Sequence, residues 1–168
     1  MDYKVDDGIK EACRIVKQGY LAEMMGVKQT ILTVAISHHD RNGKPYYFNE
    51  FQTDKMQAVI NQAARELHQV LFSANPLSAQ ESPYSFGDTI VEQFKVFRRR
   101  FNVQYILRDS MGWSDGKIKM YLSKKGGSYY GKIKPDDIDR INEMVQWAAR
   151  DLENITLRWE SQRLTANG

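Results

Sequence analysis

Residues 18–36 read QGYLAEMMGVKQTILTVAI, and residues 104–122 read QYILRDSMGWSDGKIKMYL. Placed so that Gln18 lies over Gln104, the stretches also match Leu21 with Leu107, Met25 with Met111 and Gly26 with Gly112. Val27 faces Trp113, Leu32 faces Ile118 and Ala35 faces Tyr121, so apolar positions are kept. A second pair follows at a spacing one residue shorter: DKMQAVINQAAREL at 54–67 and DRINEMVQWAARDL at 139–152. Both end in Ala-Ala-Arg-acid-Leu, at Ala63 to Leu67 and Ala148 to Leu152. A nearly constant spacing over about 50 residues reads as a duplicated unit.

The duplication sets the expected organisation. Residues 1–73 form a first unit and residues 87–168 a second, which ends in a long helix. Between them, residues 74–86 (ANPLSAQESPYSF) hold two prolines and three serines without helical periodicity, the pattern of a linker.

Each unit is expected to hold three to four helices, so the fold class is mainly α. Ile9, Ala12, Cys13 and Val16 recur at helical spacing, as do Ile90, Phe94, Phe97 and Phe101, with Asp88 suited to an N-cap. Two short helices follow in each copy, 18–25 and 28–37 in the first, 104–111 and 114–123 in the second. Gly26 and Gly112 stand where the first must stop and turn, a place for positive φ. Met56, Val59, Ile60, Ala63, Ala64, Leu67 and Leu71 then make one stripe. Pro135 opens its counterpart, with Asp136, Asp137 and Asp139 near the positive helix end. Its stripe is Ile138, Ile141, Val145, Ala148, Ala149, Leu152 and Ile155, and the helix reaches Trp159.

The chain has 168 residues, 42% of them hydrophobic and 27% charged, so it is globular in composition. Its one cysteine, Cys13, excludes a disulfide within the chain and any multi-cysteine zinc site. No apolar run nears the roughly 20 residues that span a bilayer. The charged start MDYKVDDGIKEAC lacks a signal-peptide core, so a cytoplasmic protein without membrane contact is expected. Net charge is +3, but its distribution is uneven. Residues 1–73 carry nine Lys/Arg and nine Asp/Glu; residues 95–134 carry eleven Lys/Arg against Asp109 and Asp115 alone. Such a field suits a polyanionic partner.

The pattern Gln-x-x-Leu-Ala-Glu-x-Met-Gly-Val at Gln18 to Val27 resembles the helix-turn-helix of the lambda-repressor-like family. Gln104 to Trp113 keeps its Gln, Leu and Gly but has Arg108-Asp109 for Ala-Glu. The resemblance implies double-stranded DNA as partner, with the outer face of the second short helix in the major groove. By position it implies phosphate contacts from Gln18 and Gln104, and a recognition face of Lys28, Gln29, Thr30 and Thr33 in the first copy. In the second copy the face is Ser114, Asp115, Lys117 and Lys119, Asp115 reading better as a helix cap. Gln suits adenine and Lys suits guanine. Arg98, Arg99 and Arg100 are phosphate candidates beside their simpler role at a helix C-terminus.

The loops after the recognition helices are longer than the family's. Turn chemistry at Asn42-Gly43 and Gly126-Gly127 leaves room for a short β-hairpin wing, as in winged or excisionase-like units. Lys124, Lys125, Lys132 and Lys134 would serve such a wing or its absence. The implied function is sequence-specific regulation of phage or mobile-element type by an intramolecular pseudo-dimer, which reads asymmetric half-sites about 34 Å apart. Two rivals share the scaffold: a protein-docking or anti-defence module, favoured by the neutral first unit, and an excisionase-like architectural factor. The sequence leaves monomer and homodimer open.

No enzyme is expected. His38-His39-Asp40 has only His68 as a further histidine, and no metal-ligand spacing supports it. No phosphate loop, serine elbow or cysteine–histidine pair is present, and no cofactor or metal is implied.

Overall fold

A computed structural model describes residues 3–4, 7–37, 43–44, 47–72, 90–110, 112–114, 116 and 135–167. The described chain is mainly helical. Strand β1 (Tyr3–Lys4) precedes α1 (Asp7–Ile15), α2 (Gln18–Met25) and α3 (Gln29–Ser37). Strand β2 (Tyr47–Phe48) leads into α4 (Glu50–Gln69). Then come α5 (Ile90–Arg98), a π-helical turn (Tyr105–Ser110) and α6 (Pro135–Asn167). The linker expected at 74–86 lies outside the described residues.

The chain forms two compact units. The first comprises Met1–Ala64 with Arg150–Gly168, the second Arg65–Ala149. The boundaries of these units fall at 64/65 and 149/150. The division runs through α4 and α6, so each long helix contributes to both units.

In the first unit, Ile9, Ala12, Ile15 and Val16 are buried along α1 and just after it. Leu21, Ala22 and Met25 of α2 and Leu32 and Ala35 of α3 are buried too. Asn49 and Gln52 form a capping box at the start of α4. Asn49 Oδ1 accepts from the Gln52 N–H at 2.8 Å, and Gln52 Oε1 accepts from the Asn49 N–H at 3.1 Å, so orphan donors at the helix end are satisfied. The last part of α6 is tied in by polar contacts. Arg158 pairs with Glu11 at 3.5 Å. Arg163 pairs with Asp54 and donates to Gln57 Oε1, and Gln57 Nε2 donates to Glu160.

Strand β2 pairs antiparallel with β1, Tyr3 opposite Phe48 and Lys4 opposite Tyr47. Among the described residues the partner of β2 is the N-terminal strand; residues 38–42 and 45–46, on which the expected wing falls, lie outside the described residues. Gly43 does take positive φ, +76°, as its turn chemistry predicts. The loop around Gly126-Gly127, with Lys124, Lys125, Lys132 and Lys134, lies outside the described residues.

In the second unit, Phe72, Phe97 and Phe101 form an aromatic cluster with ring centroids 5.2 and 4.9 Å apart. Ile138, Ile141, Val145, Ala148 and Ala149 of α6 are buried, as their stripe predicts. Helix α4 stops at Gln69, so Leu71 leaves the expected stripe and is 41% exposed, whereas Val70 and Phe72 are buried. Side chains of α6 secure that end. Asn142 accepts from the Phe72 N–H at 2.8 Å and donates to its carbonyl at 2.9 Å. Gln146 Nε2 donates to the Leu67 and His68 carbonyls, orphaned at the end of α4. Helix α6 passes the expected Trp159 and runs 33 residues to Asn167.

Candidate functional site

Helices α2 and α3 are joined by a turn that the residues dictate. Gly26 has φ +69°, in the left-handed region. Its N–H donates to the Glu23 carbonyl at 3.1 Å, and the Val27 N–H donates to the Ala22 carbonyl at 3.0 Å. This is the Schellman arrangement, which closes the carbonyl end of α2 and turns the chain at once. Ala22 of α2 is buried, as are Leu32 and Ala35 on the inward face of α3.

The outward face of α3 and the residue before it is polar. Lys28, Gln29, Thr30, Thr33 and Ser37 are all exposed. They carry one charge, on Lys28. Gln18, at the start of α2, reaches across to this face. Its Nε2 donates to the Thr33 hydroxyl at 2.7 Å and to the Gln29 carbonyl at 3.2 Å. These two bonds brace α2 against α3. The Thr33 hydroxyl in turn donates to the Gln29 carbonyl at 3.3 Å, and Ser37 donates to that of Val34.

Residues 102–113 show the same hydrogen bonds with one residue more. The Gly112 N–H donates to the Arg108 carbonyl at 2.9 Å, and the Trp113 N–H reaches the Leu107 carbonyl at 3.1 Å. Gly112 has φ +71°. The extra residue is taken up by the π-helical turn at Tyr105–Ser110. Upstream of it, Ile106 N–H to the Asn102 carbonyl answers Leu21 N–H to the Lys17 carbonyl. By that register buried Val103 stands where Gln18 stands, and exposed Gln104 stands where Gly19 does. The matched glutamines of the sequence are therefore one position apart.

Trp113 is buried and Ser114 exposed beyond the turn. Asp115, Lys117 and Lys119 lie outside the described residues. Arg98, Arg99 and Arg100 are exposed at the end of α5. Arg100 pairs with Glu66 at 3.5 Å, which ties part of the basic run to the end of α4.

Burial pushes the Cys13 thiol up to about 11. Asp151 is raised above the ordinary carboxylate value by desolvation, then by the charge of Glu11. His68 Nδ1 lies 2.9 Å from Gln146 Oε1. His38 and His39 are outside the described residues. Among the described residues, no group of three or more His, Cys, Asp or Glu could hold a metal ion, and no helix is long and apolar enough to cross a membrane. Comparison with protein-family models, curated proteins and solved structures finds no match.

Proposed function

We propose that the chain binds double-stranded DNA in a sequence-specific way, as a regulator with two helix-turn-helix elements on one polypeptide. The observation that carries this reading is the exposed polar face of α3, held outward by the Gly26 turn and braced by Gln18. A helix so mounted has the width and polarity that a major groove admits.

The elements divide the work unequally. The first copy is neutral over 1–73 and offers amide and hydroxyl groups suited to base edges. The second lies in the basic stretch 95–134, suited to phosphates, with Arg98, Arg99, Lys117, Lys119, Lys124 and Lys125 as its cations. The neutrality of 1–73 also favours a second reading, in which the first unit docks onto a protein.

Fluorescence anisotropy of a mixed-sequence duplex with the full chain, at low and high salt, separates the readings. DNA binding predicts affinity that falls steeply with salt and collapses in the double variant Lys117→Glu, Lys119→Glu. Absence of binding at low salt would overturn the proposal. Binding unaffected by the reversal would take the second element out of it.

A further inference from the structure

We infer that the outward stripe of α6, from Asn154 to Leu164, is the contact surface for a second copy of this chain, laid parallel to the first. This contact does not depend on DNA binding.

Leu152, Ile155 and Thr156 of α6 are buried within the first unit. Rotated about half a turn from them, Asn154, Leu157, Ser161 and Leu164 are all exposed. Leu157 is 60% exposed and Leu164 75%. A single exposed leucine is ordinary on a protein surface. Here two recur on one line, and the steps along that line are three, four and three residues. That spacing is the seam of a coiled coil, with Leu157 and Leu164 at its d positions and Asn154 and Ser161 at its a positions. The turns around Ser161 and Leu164 are exposed on most sides; of residues 160–165 only Arg163 is part-buried. Their printed ties to the first unit are polar, Arg163 to Asp54 and Gln57 to Glu160. Helices in folded proteins draw most of their stability from apolar packing, and these leucines keep most of their surface in water.

Charge selects the occupant. The flank beside the a positions carries Glu153 and Glu160, and the flank beside the d positions carries Arg158 and Thr165. Flanking charges of this kind set partner and orientation. In a parallel pair of identical helices Glu153 meets Arg158 of the second copy, and by symmetry the same pair forms twice. Glu160 meets neutral Thr165. An antiparallel pair would instead set the Glu153 and Glu160 flank against itself. Arg158 pairs with Glu11 through one nitrogen at 3.5 Å, and its guanidinium has further donors for a second carboxylate. Asn154 suits a seam between identical chains, because an amide both donates and accepts and so pairs with its own copy. The helix is already formed by the fold, so pairing carries no cost of ordering it.

Sedimentation equilibrium of the full chain, from micromolar to millimolar concentration, tests the contact. The mass should rise with concentration from 19.5 kDa toward twice that value. Leu157→Lys and Leu164→Lys, both at exposed positions, should each raise the dissociation constant at least about tenfold, the worth of one buried leucine. Far-UV circular dichroism shows that each variant is folded. Oxidative cross-linking reads the orientation. In chains that also carry Cys13→Ala, Asn154→Cys and Ser161→Cys should each join two copies by a disulfide, because a parallel seam sets each a residue beside its own copy.

A mass of one chain at every concentration would overturn the inference and leave the stripe to a partner of other chemistry. A dimer unmoved by both leucine variants would also overturn it, by placing the interface elsewhere. A dimer weakened by those variants that cross-links through neither cysteine would overturn the parallel arrangement.

Discussion

Gly26 and Gly112 each turn the chain with positive φ, and a Cβ built at either meets nothing within 4 Å. The demand is therefore conformational, not spatial. Gly26→Ala is expected to cost about 1–2 kcal/mol, the penalty of a left-handed L-residue, measured by urea denaturation. Asn142→Ala should cost about 1–3 kcal/mol, because it removes the two hydrogen bonds of the Asn142 amide to the part-buried Phe72 N–H and carbonyl. Asp151 tests electrostatics. Its folded pKa is raised, so its contribution is fully present below the ordinary carboxylate value of 3.8 and lost as pH rises through the folded value. Asp151→Asn should therefore raise the unfolding midpoint at neutral pH, with the gain vanishing in acid. A midpoint lowered at pH 7 would contradict the assignment. Cys13, a neutral thiol up to about pH 11, should react with iodoacetamide at pH 8 far more slowly in the folded chain than in urea. Of these residues the glycines and the apolar character of Cys13 were legible in the sequence. The role of Asn142 was not, because its partner is a backbone group 70 positions away.

At the scale of elements, legibility follows the range of the interaction that builds each one. Apolar stripes placed α4 and α6, since periodicity is local. The capping box of Asn49 and Gln52 has a readable signature, yet the stripe that marks its helix begins only at Met56. The pairing of β1 with β2 joins residues more than 40 positions apart, so no local signal announces it. The π-helical turn was hidden for another reason. One extra residue leaves the matches on its far side intact, so Gly112 still pairs with Gly26 while Gln104 slips off Gln18. The bonds of Gln18 to Thr33 and Gln29 join positions 15 and 11 apart, and no local signal announces them. Gln18→Ala should lower the stability of the first unit by about 0.5–1.5 kcal/mol, the usual net worth of such bonds. A stability unchanged within error would mean that the brace is idle.

For the whole molecule, the stripes told which face of each long helix is buried but not which chain segment covers it. The first unit joins Met1–Ala64 with Arg150–Gly168, segments far apart in sequence. Ending the chain at residue 149 removes the partners of Glu11, Asp54 and Gln57 from the first unit. Such a chain, and equally residues 1–73 alone, should lose cooperative unfolding when followed by circular dichroism. Full cooperativity in either would contradict the division into units. The long helices α4 and α6 contribute buried residues to the cores, whereas α3 keeps an exposed polar face. The most direct test is an amide NMR titration of the full 19.5 kDa chain with the duplex that it selects. DNA binding through the proposed faces predicts shifts concentrated at residues 28–33, 98–100 and 114–119. Shifts confined to the outward side of α6, around exposed Leu157 and Leu164, or no shifts at all, would contradict it.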